Sequence, residues 1–301
     1  MVEKGKYVII TAAKNEGKNI ENTILSIVRQ TVIPQLWVIV SDQSTDDTDD
    51  IIRKYEKEYS FMKLLRREKE ENRNFGSQVR SINIGYEFIK RKQINYQYIG
   101  NLDADISLLP GYYEEIFEKF ELNKNIGLAG GYIYEKDKDE FKVRKHNNLN
   151  SIAHGIQMFR RECFEEIGGY REMTYGGPDW VAEVLARKNG WEVKAFPNIK
   201  VFHHRHTLSE EGKLRGRYRQ GLMDYSVGSL FMFEIFKCIR RFDSRPYVIG
   251  GLCRFVGFLS AMISGEKRAV PEDFVNYLQK EQICRIKKLL MLQNIYTQKD
   301  I

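Results

Sequence analysis

Asp103-Ala104-Asp105 follows the apolar run YQYIGNL. Two carboxylates one residue apart at a strand end can hold a hard cation such as Mg²⁺ or Mn²⁺, with water and substrate phosphates supplying the other ligands. The same pair also suits a turn or helix start before PGYYEEI, so the spacing alone leaves both readings open. Asp42 lies in VIVSDQSTDDT. Ser44, Thr45 and Asp46 are capping types ahead of a helix at Ile51 and Ile52, whereas Asp42 stands earlier, at the strand end, freer to face a ligand. Gly176-Gly177-Pro178 is a turn that sets Asp179 at the mouth of a helix, with Trp180 beside it. A carboxylate there can serve as a general base or as a helix cap. His203 and His204, followed by Arg205 and His206, offer imidazole ligands for a metal or a basic turn. Arg215, Arg217 and Arg219 alternate, as a phosphate grip or a solvated helix face would.

The elements that must position these groups are legible in the hydrophobic pattern. Apolar runs at Tyr7–Ala12, Trp37–Val40, Met62–Leu65 and Tyr96–Leu102 predict strands. Between them, Ile20, Ile24, Ile27 and Val28, then Ile51, Ile52, Tyr55 and Tyr59, then Val79 to Ile89, recur at helical spacing. Strands alternating with helices predict βαβ units and a mostly parallel sheet with right-handed crossovers. Ligands of such sheets bind beyond the carboxyl ends of the strands. Lys14-Asn15-Glu16, Asp42 and Asp103 to Asp105 occupy those ends and should converge on one rim. Residues 135–150 are strongly charged and predict an exposed loop or hairpin. Residues 151–202 return to mixed structure, and 208–301 read as mainly helical and amphipathic.

The run IITAAKNEGKNIENTILSIVRQT, then VIVSDQSTDDT, Asn83-Ile84-Gly85 and NLDADI, resembles the family 2 glycosyltransferases of GT-A-type fold. GIQMFRRECFEEIGGY, YGGPDW and VFHHR continue the likeness in the family's order, so that it spans residues 5–206. The resemblance implies an α/β, Rossmann-like, mixed but mostly parallel sheet flanked by helices, as a catalytic domain over residues 1–206. A helical, basic extension follows over 207–301. It implies that Asn15, Glu16, Asp42, Arg80, Asn83 and Asp103 contact the nucleotide-sugar, Asp42 by accepting a hydrogen bond from the base. It implies that Asp105 binds a divalent metal, Mn²⁺ or Mg²⁺, that His203 or His204 closes over the metal or diphosphate, and that Asp179 is the general base of an inverting transfer. Gly168-Gly169, read locally as a helix end and turn, would border the acceptor site. Ser41 stands where the family often has a first Asp, Gln43 where it often has Gly or Asn, and Ala12-Ala13-Lys14 where many members have Pro or Tyr. All touch the base pocket.

The implied partners are a nucleotide-diphosphate sugar, a UDP-sugar first, and a saccharide or lipid-linked acceptor in cell-surface polysaccharide or glycolipid synthesis. A nucleotidyltransferase also pairs carboxylates with Mg²⁺ on an α/β sheet, but Ala12-Ala13-Lys14-Asn15 offers little of the Gly-rich or basic first loop it would want. A non-catalytic sugar-nucleotide-binding protein is the other alternative. No nucleic-acid module is recognisable, so no nucleic acid is expected.

Composition bounds the rest. The chain has 301 residues, 42% hydrophobic and 30% charged, which excludes a polytopic membrane protein. Its net charge is +7, and residues 203–301 hold 17 Lys/Arg against 10 Asp/Glu, leaving 31 against 31 for the remainder. All the excess sits in the C-terminal third, which suits a membrane surface or a phosphorylated partner as well as it suits solubility. Pro246–Ile263 is largely apolar but contains Arg254, and predicts a buried or interfacial helix, not a span. Cys163, Cys238, Cys253 and Cys284 are far apart, without zinc spacing, and predict buried free thiols in a reducing compartment. MVEKGKYVII holds no long apolar stretch and reads as no secretory signal. The expectation is a cytoplasmic enzyme, peripheral contact with the inner membrane face and a homodimer both being compatible with it.

Overall fold

The computed structural model describes residues 5–67, 76–138, 140–144, 147–205, 213–240 and 247–297. They fall into two compact units, one within Met1–Glu172 and Pro178–Thr207, the other within Met173–Gly177 and Leu208–Ile301.

Among the described residues, the first unit is built on a nine-stranded mixed sheet. Strands β1 (Tyr7–Ala13), β2 (Leu36–Ser41), β3 (Met62–Arg66) and β4 (Tyr98–Asn101) lie mutually parallel in the order β3-β2-β1-β4. Every residue of β2, and all but one of β1, is buried. Such unbroken apolar strands are what a parallel sheet covered on both faces requires. The indole of Trp37 stays dry at little cost because its N–H donates to Thr11 Oγ1 at 2.9 Å.

Helices α1 (Ile20–Val28), α2 (Thr48–Glu58) and α3 (Ser77–Arg91) make the crossovers. The face of α1 toward the sheet is Ile20, Ile24 and Ile27, all fully buried. Helix α3 approaches the sheet so closely that a Cβ on Gly85 would lie 2.7 Å from Ile10 Cγ2, so a small residue is required there. Each predicted strand and helix of residues 7–102 is present, with ends shifted by a few residues.

Past β4 the parallel order breaks. The chain continues through β5 (Ile106–Leu108), α4 (Tyr112–Leu122), β6 (Ile126–Asp137), β7 (Glu140–Val143), β8 (Met158–Arg160), α5 (Arg161–Glu166), α6 (Pro178–Lys188) and β9 (Glu192–His203). Strand β8 pairs antiparallel with β4 and β6, β9 runs parallel to β6, and β5 closes antiparallel on β9. The charged stretch expected as loop or hairpin is the β6–β7 hairpin over its described part. Tyr98 stacks on Phe117 and Phe120 at 4.7 and 4.8 Å, which clamps α4 to the sheet. The turn at Gly168 and Gly169, φ 74° and 69°, follows α5 as predicted.

The second unit is helical: α7 (Lys213–Ser226), α8 (Phe231–Ile239), α9 (Ile249–Ile263) and α10 (Glu272–Thr297). Helices α7 and α9 cross at backbone contact, because a Cβ on Gly221 would overlap Arg254 O and one on Gly257 would overlap Tyr218 O. Arg254 turns inward and pairs with Asp224 and with Glu234, the latter at 2.9 Å. Lys237 adds a second cation on Asp224 at 2.7 Å. Burial alone would lower the Arg254 pKa, but these two carboxylates raise it. The arginine row of α7 is divided: Arg215 is exposed and Arg219 half-buried, whereas Arg217 is buried and donates to Gln220 Oε1 at 3.2 Å. Two of the four thiols depart from the buried expectation: Cys163 and Cys238 are buried, but Cys253 is half-buried and Cys284 exposed. Among the described residues no helix is long and apolar enough to cross a membrane.

Candidate functional site

Register brings the strand ends together. Ala13 lies opposite Ser41, and Ile10 opposite Asn101, so β1, β2 and β4 deliver their carboxyl ends to one rim. Asp42 N–H donates to Ala13 O at 2.8 Å, which locks the two following loops side by side. The loop after β1 is pinned through its own backbone. Asn15 N–H donates to Ser44 Oγ at 3.1 Å, Glu16 N–H to Thr48 Oγ1 at 2.8 Å, and Asn15 Oδ1 accepts from Thr45 N–H at 2.8 Å. Asn15 and Gln43 hold left-handed φ values of 53° and 58°. Such values are uncommon outside glycine and cluster where backbone geometry serves a site. Ser44, which looks like a cap in the sequence, therefore holds the neighbouring loop, and Thr48 does the same.

Asp42 is buried and already in company. It accepts from Ser77 Oγ at 2.7 Å and Lys14 Nζ at 3.1 Å, and Arg67 Nη1 lies 3.2 Å from its other oxygen. Burial would raise its pKa, but Ser77, Lys14 and Arg67 together hold it below the ordinary carboxylate value. A carboxylate has about four acceptor positions, so room for one further donor remains. The next residue of α3, Gln78, donates to Asp103 Oδ1 at 3.1 Å. Two consecutive side chains of one helix thus hold Asp42 and Asp103. Arg80 pairs with Glu172 at 3.2 Å, and Asn83 lies half-buried one turn further along α3.

Asp103, His154, Asp179 and His203 line one cleft of about 340 Å³, with Arg144 and Asn147 on its wall. The short 3-10 turn His154–Ile156 reaches it between β7 and β8. A Cβ on Gly155 would overlap the Asp103 carboxylate, so that carboxylate lies against bare backbone. His154 Nδ1 is 3.1 Å from Asn101 Nδ2 and 3.7 Å from Asp103 Oδ1, while its buried Nε2 has no partner among the described residues. Burial works against the His154 cation, yet Asp103, with a contribution from Asp179, raises its pKa overall.

The antiparallel β5–β9 pair sets Ile106 opposite His203 and so brings His203 Nε2 to 3.2 Å from Asp105 Oδ2. Burial would raise the Asp105 pKa, but His203 and then Arg205 lower it; burial would lower that of His203, but Asp105 raises it. Arg205 bridges Asp105 Oδ2, at 3.2 Å, to Glu16. Burial raises the Glu16 pKa against the opposing pull of Asn19 and Arg205. His204, the alternative to His203 for closing over the metal or diphosphate, sends its ring elsewhere: Nε2 is 2.8 Å from Ser107 Oγ and the imidazole meets Phe141 edge-on. Neighbours in extended chain point to opposite faces, so only one of the pair can face the cleft. His206 lies outside the described residues.

Helix α6 starts as its sequence predicts. Gly176 and Gly177 hold φ of 91° and 84°, Pro178 opens the helix, and Asp179 occupies its first turn. One turn on lies Glu183, which sequence reasoning missed. It is 1% exposed and accepts from Ile152 N–H at 2.6 Å and Ser151 Oγ at 3.1 Å. Burial drives its carboxyl up to about 8 against the Ile152 hydrogen bond, with Asp179 adding to the rise. The available signal was the four-residue spacing from Asp179, which puts both on one helix face. Arg67 and Ser77 were missed as well, whereas Lys14 stood at a strand end expected on the rim and is found there on Asp42.

Among the described residues no three or more His, Cys, Asp and Glu side chains gather as a metal-ligand set. Asp105 and His203 still present a carboxylate oxygen and an imidazole nitrogen 3.2 Å apart. That pair fits a cation that takes its remaining ligands from water and phosphate.

The model of the glycosyl transferase family 2 matches residues 8–176. The chain belongs to that family. This family 2 enzyme is a glycosyltransferase, and its matched stretch carries the rim loops with Asp42, Asp103 and Asp105 but ends before Asp179. No curated protein matches the sequence. Among solved structures it is similar to a mannosyltransferase from Pyrobaculum calidifontis in complex with GDP-Man and Mn²⁺, at 14% identity and TM-score 0.56, over 96% of this chain and 88% of that one. It is similar to GalNAc-T7 with UDP, GalNAc and Mn²⁺ at 15% identity and TM-score 0.59, over 90% of this chain and 59% of that one. It is also similar to S. aureus TarS 1-349 in complex with UDP-GlcNAc, at 12% identity and TM-score 0.54, over 91% and 79% of the two chains. These likenesses show the GT-A-type fold.

Proposed function

We propose that this family 2 enzyme is a metal-dependent inverting glycosyltransferase that moves a sugar from a nucleotide-diphosphate sugar, a UDP-sugar first, to an acceptor hydroxyl. The saccharide or lipid-linked acceptor belongs to cell-surface polysaccharide or glycolipid synthesis. The observation that carries the reading is the meeting of Asp103, Asp179 and His203 in one cleft, with Asp105 bonded to His203 at its edge.

In this reading the rim loops with Asn15, Glu16 and Asp42 receive the nucleoside, and Arg80 and Asn83 with Asp103 contact the ribose and diphosphate. Asp105 and His203 would hold Mn²⁺ or Mg²⁺, which supplies neutralising charge to the departing diphosphate. Arg205 neutralises Asp105 and Glu16 before any such cation arrives. Asp179 accepts the proton of the acceptor hydroxyl. That oxygen attacks the anomeric carbon from the face opposite the diphosphate. The bond between the anomeric carbon and the diphosphate oxygen breaks, and its electron pair leaves with the nucleoside diphosphate. The anomeric configuration inverts. The basic second unit supplies acceptor, membrane or subunit contacts.

The test is thermal-shift screening of UDP-, GDP- and dTDP-sugars with and without Mn²⁺, followed by product analysis. A donor that stabilises the enzyme more with Mn²⁺, and free nucleoside diphosphate as product, support the reading. Pyrophosphate as product, or no response to any nucleotide-sugar, would overturn it.

A further inference from the structure

Helices α8 and α9 are inverted in polarity. Their inner faces carry the charges: Glu234 and Arg254 are buried against one another and against Asp224. Their outer faces carry hydrocarbon. Met232, Phe236 and Ile239 recur along α8 at helical spacing, at 56%, 40% and 54% exposure. Leu252, Val256 and Ile263 do the same along α9, at 51%, 54% and 81%. Phe231 meets Phe255 at 5.8 Å, so one aromatic seam joins the two helices. A water-facing helix places its apolar stripe inward and its charges outward. Here the arrangement is reversed, and contiguous apolar surface of this kind marks an interaction site.

The charge of this region says what covers them. Residues 203–301 hold 17 Lys/Arg against 10 Asp/Glu, and among the described residues exposed Arg240 stands at the end of α8 and exposed Lys267 follows the end of α9. Lipid phosphate brings the opposite charge to these cations, whereas a second copy of the chain would bring a further set of the same cations. Helix α9, at 15 residues, rises about 22 Å, too short for a bilayer core of about 30 Å. Hydrocarbon on one face and cations at the helix ends suit a helix that lies in the headgroup layer. We infer that the outer faces of α8 and α9 form a docking surface that seats this enzyme on an anionic lipid bilayer. The inference uses the second unit alone and goes beyond the donor chemistry proposed for the cleft.

Flotation with vesicles of neutral phosphatidylcholine, and of phosphatidylcholine with phosphatidylglycerol, tests it without any donor or acceptor. The full chain is compared with the double variant Leu252→Gln, Val256→Gln. Both positions are exposed, so an unchanged thermal unfolding curve certifies the variant's fold. Wild type should bind the anionic vesicles about tenfold more than the neutral ones, lose binding between about 50 and 300 mM salt, and bind about tenfold better than the variant. Equal binding by variant and wild type, equal binding to both vesicles, or no binding would each overturn the proposal. So would a concentration-dependent dimer that the variant abolishes, because a second copy would then be the occupant. Should the Gln pair lower stability, Leu252→Ala, Val256→Ala provides the same comparison.

Discussion

Glu183 and Asp179 share one neighbour: Gln157 Nε2 reaches both Glu183 Oε1 and the Asp179 backbone carbonyl, each at 3.4 Å. Gln157 is itself buried and accepts from Tyr170 Oη at 2.7 Å. The start of α6, which carries the proposed base, is therefore tied to a dry polar network behind the cleft. Such networks hold geometry strongly when every member is satisfied.

Glu183 gives this network a pH dependence. Its unfolded carboxyl titrates near 4.5 and its folded one near 8. Between those values the folded protein keeps a proton that the unfolded chain has lost. The stability from this group is thus fully present below the lower value and is lost as pH rises through the upper one. Glu183→Gln keeps a neutral polar group at every pH. Between about pH 5 and 9 its melting temperature should fall by about 5 °C less than that of wild type. Parallel melting curves would remove the buried carboxyl from the explanation.

Asp179→Asn removes the proposed proton acceptor without changing its volume. Transfer should drop by about 100-fold or more, while stabilisation by donor and Mn²⁺ stays within about a degree of wild type. Near-normal turnover by the variant would end the assignment.

Asp105→Asn and His203→Ala each take one proposed metal ligand from the pair described above. In both, the melting-point increment that Mn²⁺ adds to a bound nucleotide-sugar should shrink by about half or more. The corresponding change at His204, whose imidazole rests on Ser107, should leave the increment intact. An equal loss in His204→Ala would place the metal elsewhere.

Arg254→Ala leaves Asp224 and Glu234 buried with Lys237 as their remaining cation. Breaking a buried ion cluster by removing one partner costs about 3–5 kcal/mol, readable in urea unfolding. A cost under about 1 kcal/mol would show that the cluster is hydrated, not dry.

By itself, the sequence determined the local elements and the rim. Alternating apolar runs and helical repeats of residues 7–102 fix the βαβ order, because burial of a strand on both faces leaves its signature in consecutive residues. Asp42, Asp103 and Asp105 were legible because chain order places them at strand ends, and Asp179 because Gly-Gly-Pro announces a helix start. Contacts between distant stretches of chain were decided only by tertiary structure. The β5–β9 register selects His203 over His204 for Asp105, and no local pattern encodes a pairing across about a hundred residues. Ser77 and Gln78 join Asp42 to Asp103 only because α3 packs across the rim. Glu183 acquires its raised pKa from desolvation, a property of the packed interior that residue type does not carry. The outward apolar faces of α8 and α9 likewise follow from where Arg254 finds its acids, since an amphipathic repeat does not say which of its sides turns to solvent.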